Sequence, residues 1–342
     1  MPLCNGRLGI VRLLKSLMRR VLRRDWLKDR FRSEARRFAY LAGKFNASVA
    51  TDDDIEKMQY TLLRENHVVE KGMSLRSPRK GFGQQKVIAL IERLSKYADR
   101  YIKEDAAFLD YPLGTIAGYI KYTKSNGTEI GEIERLFADL CAKCGIDAPL
   151  KAGGVVGVSA IDIKKEASGD FESLLRSRHS IRCYKNVVPS RELLEKALEL
   201  AQKTPSACNR QAWKTHVYMG DDSVELVKWQ GGSNGFEEEI KCSILVTANL
   251  KGFLWHEVHQ AYVDGGLYAM NLINALHSLG LGTIPLSVGF EWEKLKELGR
   301  FGIPENEVPV LIVGCGEMLD DFYVANSGRK DVGRTNVYHK LT

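Results

Sequence analysis

Three apolar runs towards the C-terminal end restrict the folds open to this chain. Cys242–Ala248 and Val308–Cys315 are mainly apolar stretches of strand length, and Tyr262–Leu279 is hydrophobic over most of a helical surface. Such strands need cover on both faces, and such a helix belongs in a core or at a subunit interface. Around them, Glu192–Lys203 is amphipathic and stops before Pro205, while Trp213–Met219 alternates like a strand. Helix and strand signals in alternation predict a layered α/β or α+β sandwich.

With 342 residues the chain is long for one core and comfortable for two. The region before the sandwich reads as mostly helical. Thr51-Asp52-Asp53-Asp54 offers an N-cap and an acidic first turn for a helix running to Lys71, where Gly72 can end it. Ser77–Gly83 is a loop on Gly and Pro grounds, and helical periodicity returns over Gln84–Ile102 and Glu129–Cys144, with a turn expected at Tyr111-Pro112-Leu113-Gly114. A glycine-rich stretch at 151–157 and a polar one at 159–168 read as a connection. The expected organisation is a basic helical segment over 1–40, a helical domain over 41–150, a linker over 151–170 and a second domain over 171–342.

Charge is unevenly placed. The net +7 arises because residues 1–40 alone carry +9, leaving the rest at −2. Over residues 8–24, Ile10, Leu14, Leu17, Met18 and Val21 share one helical face, with Arg12, Lys15, Arg19 and Arg23 opposite. Charges interrupt it too often for a bilayer span or a secretory signal. It either lies peripherally on an anionic membrane surface or packs its stripe on the rest of the protein. Nucleic-acid binding is disfavoured, because the segment lacks interleaved exposed aromatics and the body is slightly acidic. Seven cysteines without framework spacing suit reduced thiols in a cytosol.

Four short motifs carry the chemistry. In Arg178-His179-Ser180-Ile181-Arg182, alternate positions put two guanidiniums and a hydroxyl on one side of an extended segment, a donor set that suits phosphate oxygens. Thr204-Pro205-Ser206-Ala207-Cys208-Asn209-Arg210-Gln211-Ala212-Trp213 ends a helix and offers small residues and amides for close ligand approach. Leu279-Gly280-Leu281-Gly282 closes the apolar helix before Thr283-Ile284-Pro285-Leu286-Ser287. A late basic cluster holds Arg329, Lys330 and Arg334. Singly, each is equally a solvated face, a polar turn, a helix cap or a tail.

Their order and spacing together resemble the FMN-dependent nitroreductase family, from Phe171 to the C-terminus. The resemblance implies an α+β fold with a mixed sheet flanked by helices, and a homodimer with FMN at its interface. Arg178, Ser180 and Arg182, with His179 in the place of a usual second Arg, match the element gripping the FMN phosphate and ring edge. Pro205, Ser206, Asn209 and Gln211 match the segment reaching the flavin from the partner subunit. Pro285, Leu286 and Ser287 match the stretch over the ring face, and Arg329 with Lys330 the late phosphate contact. The implied activity is ping-pong hydride transfer from NAD(P)H through flavin N5 to a small-molecule acceptor, with no catalytic side chain required. Dehalogenation by a related flavin fold stays open, as does a membrane-surface interaction protein with a vestigial flavin site.

Arg64-Glu65-Asn66-His67, Glu70-Lys71-Gly72-Met73-Ser74-Leu75 and Gly81-Phe82-Gly83 resemble the extension fused to nitroreductase-like proteins from bacterial polysaccharide clusters. There His67, Glu70 and Lys71 read first as helix-surface ion pairs, otherwise as lining for a substrate or partner site. Cys141-x-x-Cys144 and Trp255-His256-Glu257 with His259 lack the further ligands of a metal site, and none is expected. Gly153–Gly157 lacks the Lys-Ser/Thr of a phosphate loop.

Overall fold

The computed structural model describes residues 53–146, 153–254, 257 and 259–340, with scattered positions between 18 and 36. Apart from Met18, the proposed membrane-surface helix at 8–24 lies outside the described residues, as do Thr51, Asp52, Trp255 and His256. Among the described residues no helix is long and apolar enough to cross a membrane.

Over residues 53–146 the chain forms α1 (Ile55–Met73), α2 (Gln84–Asp105), α3 (Asp110–Ser125) and α4 (Gly131–Cys144). The Asp54 side chain accepts from the Lys57 amide at 3.0 Å and starts α1. Met58, Leu62, Val69 and Met73 recur at helical spacing and pack against Leu90, Leu94, Tyr97, Leu113, Ile116 and Tyr119. Gly72 does not end α1; it lies within the last turn, where a Cβ would collide with the Phe82 ring, and Ser74 is the cap. Tyr111–Gly114 is not a turn either. It opens α3, because a proline in the first helical turn gives up an amide that has no partner there in any case.

From Val155 to Ala167 the stretch expected as a linker forms a strand and a helix. β1 (Val155–Ser159) pairs antiparallel with β6 (Asp321–Ala325), and α5 (Ala160–Ala167) follows at once, capped by Ser159. Gly153 is required by packing: at its φ of +97 a Cβ would strike the α3 backbone at Thr115 and Tyr111.

The remaining elements are α6 (Phe171–Ser177), α7 (Arg191–Ala201), β2 (Trp213–Met219), α8 (Asp221–Gln230), β3 (Cys242–Asn249), α9 (Gln260–Ser278), β4 (Gly282–Ser287), α10 (Trp292–Lys296) and β5 (Glu307–Gly316). The main sheet runs β2-β3-β5-β4 with antiparallel ladders throughout, and a parallel bridge between Ser180 and Thr283 makes it mixed. Ile244 and Val246 face a core with α7 and α9, including Leu194, Tyr268 and Leu272. Leu245 faces the other way, among Leu226, Trp229 and Ile312. Both faces are covered, which is why β3 is a continuous apolar run. The fold is α+β with a helical N-terminal half. α9 buries only one face, whereas Tyr262, Val263, Leu267 and Met270 stand exposed.

Candidate functional site

The site is assembled on the segment after α6. Arg178 turns the chain to extended geometry at the helix end (φ −75, ψ 120). The Ile181 amide then donates to the Thr283 carbonyl at 2.9 Å, laying Ser180–Arg182 alongside the start of β4. The motif at 178–182 and the stretch 285–287 therefore become spatial neighbours although about a hundred residues separate them.

Arg182 is 4% exposed. Its Nη1 donates to Ser74 Oγ at 3.3 Å and to the Ser180 carbonyl at 3.4 Å, while its buried Nε has no partner. Burial pulls its pKa down, and the Tyr184, Glu70 and Cys183 groups pull the other way. Arg178 is half-buried, and its pKa is lowered by burial and then by the charge of Arg329, so the chain turn after β6 returns a second guanidinium to it. His179 feels burial first, then Arg178 and Arg329, and its pKa is lowered too. Other arginines are neutralised: Arg76 by Glu239, Arg210 by Glu257 and Arg334 by Asp105. Among the described residues no carboxylate forms a salt bridge with Arg178, Arg182 or Arg329. Arg329 is exposed and donates to the Ser327 carbonyl, so the cluster as a whole, with one buried free donor on Arg182, is a place where an anion would be stabilised. Phosphate oxygens match guanidinium forks in geometry and charge.

Lys330 lies elsewhere, its Nζ 4.4 Å from the centre of the Tyr60 ring. Arg334 is bound bidentately by Asp105, at 2.6 and 2.5 Å.

On β4, an edge strand, Pro285 and Ser287 are exposed and Leu286 is buried. Proline is tolerated there because an edge needs no amide on its open side. Gln230 Nε2 donates to the Ser287 carbonyl at 2.7 Å and fixes the strand end.

Pro205, Asn209 and Gln211 form an exposed loop, with Ser206 half-buried. Cys208, Asn209 and Gln211 all adopt positive φ (51, 54 and 50), a strained run for non-glycine residues. It is held by the Gln211 amide donating to Ser206 Oγ at 2.9 Å and the Ala207 amide donating to buried Asp264 at 3.2 Å. Asn271 Nδ2 also donates to Thr204 Oγ1 at 2.7 Å, seating the loop on α9. These bonds run to α9 and within the loop, not to 178–182 of the same chain.

α1 reaches into the site. Glu70 is fully buried, not a surface ion-pair residue, and Tyr111 Oη donates to its Oε2 at 2.6 Å. Burial raises the Glu70 pKa against opposing pulls from Tyr111, the Ser327 and Gly154 amides and Arg182. The Tyr111 pKa rises as well, through burial and then Glu70. Ser74 touches Arg182, and Cys183 Sγ donates to the Ser74 carbonyl at 3.5 Å. His67 is exposed, and partial burial, then Arg182 and Lys71, hold its pKa down. One sequence signal could have found Glu70: it is a carboxylate on the apolar stripe of Met58, Leu62, Val69 and Met73.

Comparison with known proteins places this half of the chain. A sequence profile described as the Nitroreductase family matches residues 175–248. A protein of Archaeoglobus fulgidus provisionally named NADH dehydrogenase/NAD(P)H nitroreductase is 32% identical over 160 residues, covering 45% of this chain and 89% of that protein. The NADH dehydrogenase of Thermus thermophilus is 23% identical over 186 residues, covering 45% of this chain and 89% of its own length. Among solved structures, an FMN-dependent nitroreductase from Clostridium difficile shares 22% identity at a TM-score of 0.38, over 42% of this chain and 86% of that one.

Proposed function

The chain belongs, through its C-terminal half, to the nitroreductase family of NAD(P)H oxidoreductases, and on that premise we propose that Arg178, Ser180, Arg182 and Arg329 hold FMN. The observation that carries this reading is the set of three guanidiniums that, among the described residues, enter no salt bridge, one of them keeping a buried free Nε. Arg178 and Arg329 neutralise the phosphate, and Ser180 adds a hydroxyl. Arg182, with its free Nε, is the donor for the ring edge, where its charge favours the reduced, anionic ring. Pro285, Leu286 and Ser287 run along the ring face. FMN held there would supply redox chemistry, hydride exchange between NAD(P)H and an organic acceptor. The protein binds and orients.

A homodimer completes the reading. Tyr262, Val263, Leu267 and Met270 form an exposed apolar face on α9, the kind of patch that a second copy covers. The 205–211 loop is seated on that same helix through Asp264 and Asn271. Pairing through α9 would carry Ser206, Asn209 and Gln211 towards the partner's flavin.

An absorbance spectrum of the purified protein with added FMN tests the reading. We expect flavin retained near 1:1, and its loss after Arg178→Ala and after Arg182→Ala. Failure of the unmodified protein to retain flavin would overturn it.

A further inference from the structure

The helical half meets the reductase half around a cavity of about 630 Å³ that the flavin reading does not use. We infer that this cavity is a binding site for a phosphorylated small molecule with an apolar or aromatic body. Its walls carry Lys71, Arg79 and Lys86 and no Asp or Glu. Phe82 adds an aromatic surface, and Asn234 with Gly235 closes it from the reductase half.

The charge has no internal answer. Among the described residues Lys71, Arg79 and Lys86 enter no salt bridge. Lys71 Nζ donates to the Gly232 carbonyl, a neutral acceptor, and faces the Phe236 ring at 5.5 Å. Glu237 is the carboxylate that Lys71 feels. It is occupied, however, by the amides of Gly235 at 2.7 Å and Phe236 at 3.1 Å, and it lies outside the lining. Partial burial of Lys71, with Arg182 and Lys86 nearby, makes its protonated form costly, a cost that a bound anion relieves.

Size and charge set the class. Pockets of roughly 300–1,000 Å³ take organic ligands, and a bare ion would leave most of this one filled with water. Three cations favour a dianionic phosphate over a single carboxylate, and Phe82 favours an apolar body beside it. Because α1, the loop before α2 and residues 234–235 all contribute, an occupant would join the two halves.

Phenyl phosphate is the probe, titrated calorimetrically into the full-length protein saturated with FMN. We expect saturable binding that weakens by about tenfold or more in Arg79→Gln/Lys86→Gln, the effect of removing charge-assisted contacts. Flavin content of that variant should equal the parent's, since neither residue touches 178–182 or 329. Arg178→Ala should leave phenyl phosphate binding unchanged even if it abolishes flavin retention, which separates this site from the flavin reading. Absence of saturable binding, binding indifferent to Arg79→Gln/Lys86→Gln, or binding lost only with Arg178→Ala would each overturn the inference.

Discussion

His277 shows how the charged cluster propagates into the core. Its ring is 3% exposed, with Nε2 2.9 Å from Ser177 Oγ, at the end of the helix that presents Arg178. Burial, then the charges of Arg178 and His179, push its pKa down to about 4 from 6.5. The folded value lies below the unfolded one for a base, so its contribution to stability is complete above about pH 6.5 and is lost as pH falls towards about 4. The size is on the order of 3 kcal/mol. Urea unfolding from pH 7 to pH 4 should show this decline, and His277→Gln should flatten it; a parent curve that the variant reproduces would dismiss the idea. Bound phosphate at Arg178 should move the decline to lower stability loss, because it removes part of the repulsion. The Arg-x-Ser-x-Arg motif was legible because its donors alternate within one short segment. Glu70 was legible only through its place on the apolar stripe, because the partner that removes it from water, Tyr111, lies on another helix and an exposed Glu-Lys pair has the same local sequence.

Elements were legible where periodicity and burial agree. Trp213–Met219 is the strand its alternation predicts, and β3 and β5 extend only a residue or so beyond their apolar runs. The connection before Phe171 was opaque because β1 finds its partner, β6, at the far end of the chain. The first turn of α3 was opaque because proline at a helix start and proline in a turn look alike locally. α9 is legible only in part: its composition says that both faces leave water, and the chain itself covers just one. Leu267 is 47% exposed in the middle of the other. In Leu267→Glu a charge replaces an apolar contact at that face, so sedimentation should shift from dimer to monomer, with flavin retention falling alongside it. A parent protein that sediments as a monomer would remove the dimer and leave the 205–211 loop without a flavin to reach.

At the scale of the molecule, the helical half holds the tail that carries Arg329. The Asn326 amide donates to the Gly154 carbonyl at 3.0 Å, and Ser327 takes a left-handed turn (φ +48). Gly328 lies against the Tyr111 ring closely enough that a Cβ would come within 2.9 Å of it. Beyond Arg329, Lys330 stands over Tyr60 and Arg334 is clamped by Asp105. Three of these anchors belong to α1, α2 and α3, so the position of one arginine in the reductase half depends on helices of the other half. Asp105 is held ionised chiefly by the Arg334 hydrogen bond, its pKa falling below 3.8. For a carboxylate so depressed, the clamp is intact above that value and is lost as pH drops through the lower, folded pKa. At neutral pH, Asp105→Asn opens the clamp while preserving the shape of the side chain. As a partly exposed pair it should alter global stability by less than about 1 kcal/mol. Its effect should appear in affinity instead: an FMN titration should show binding weakened by roughly threefold to tenfold, about 1 kcal/mol of lost preorganisation. An unchanged FMN affinity in Asp105→Asn, with the tail cut more readily by protease than in the parent, would mean that Arg329 finds the phosphate without help from the helical half.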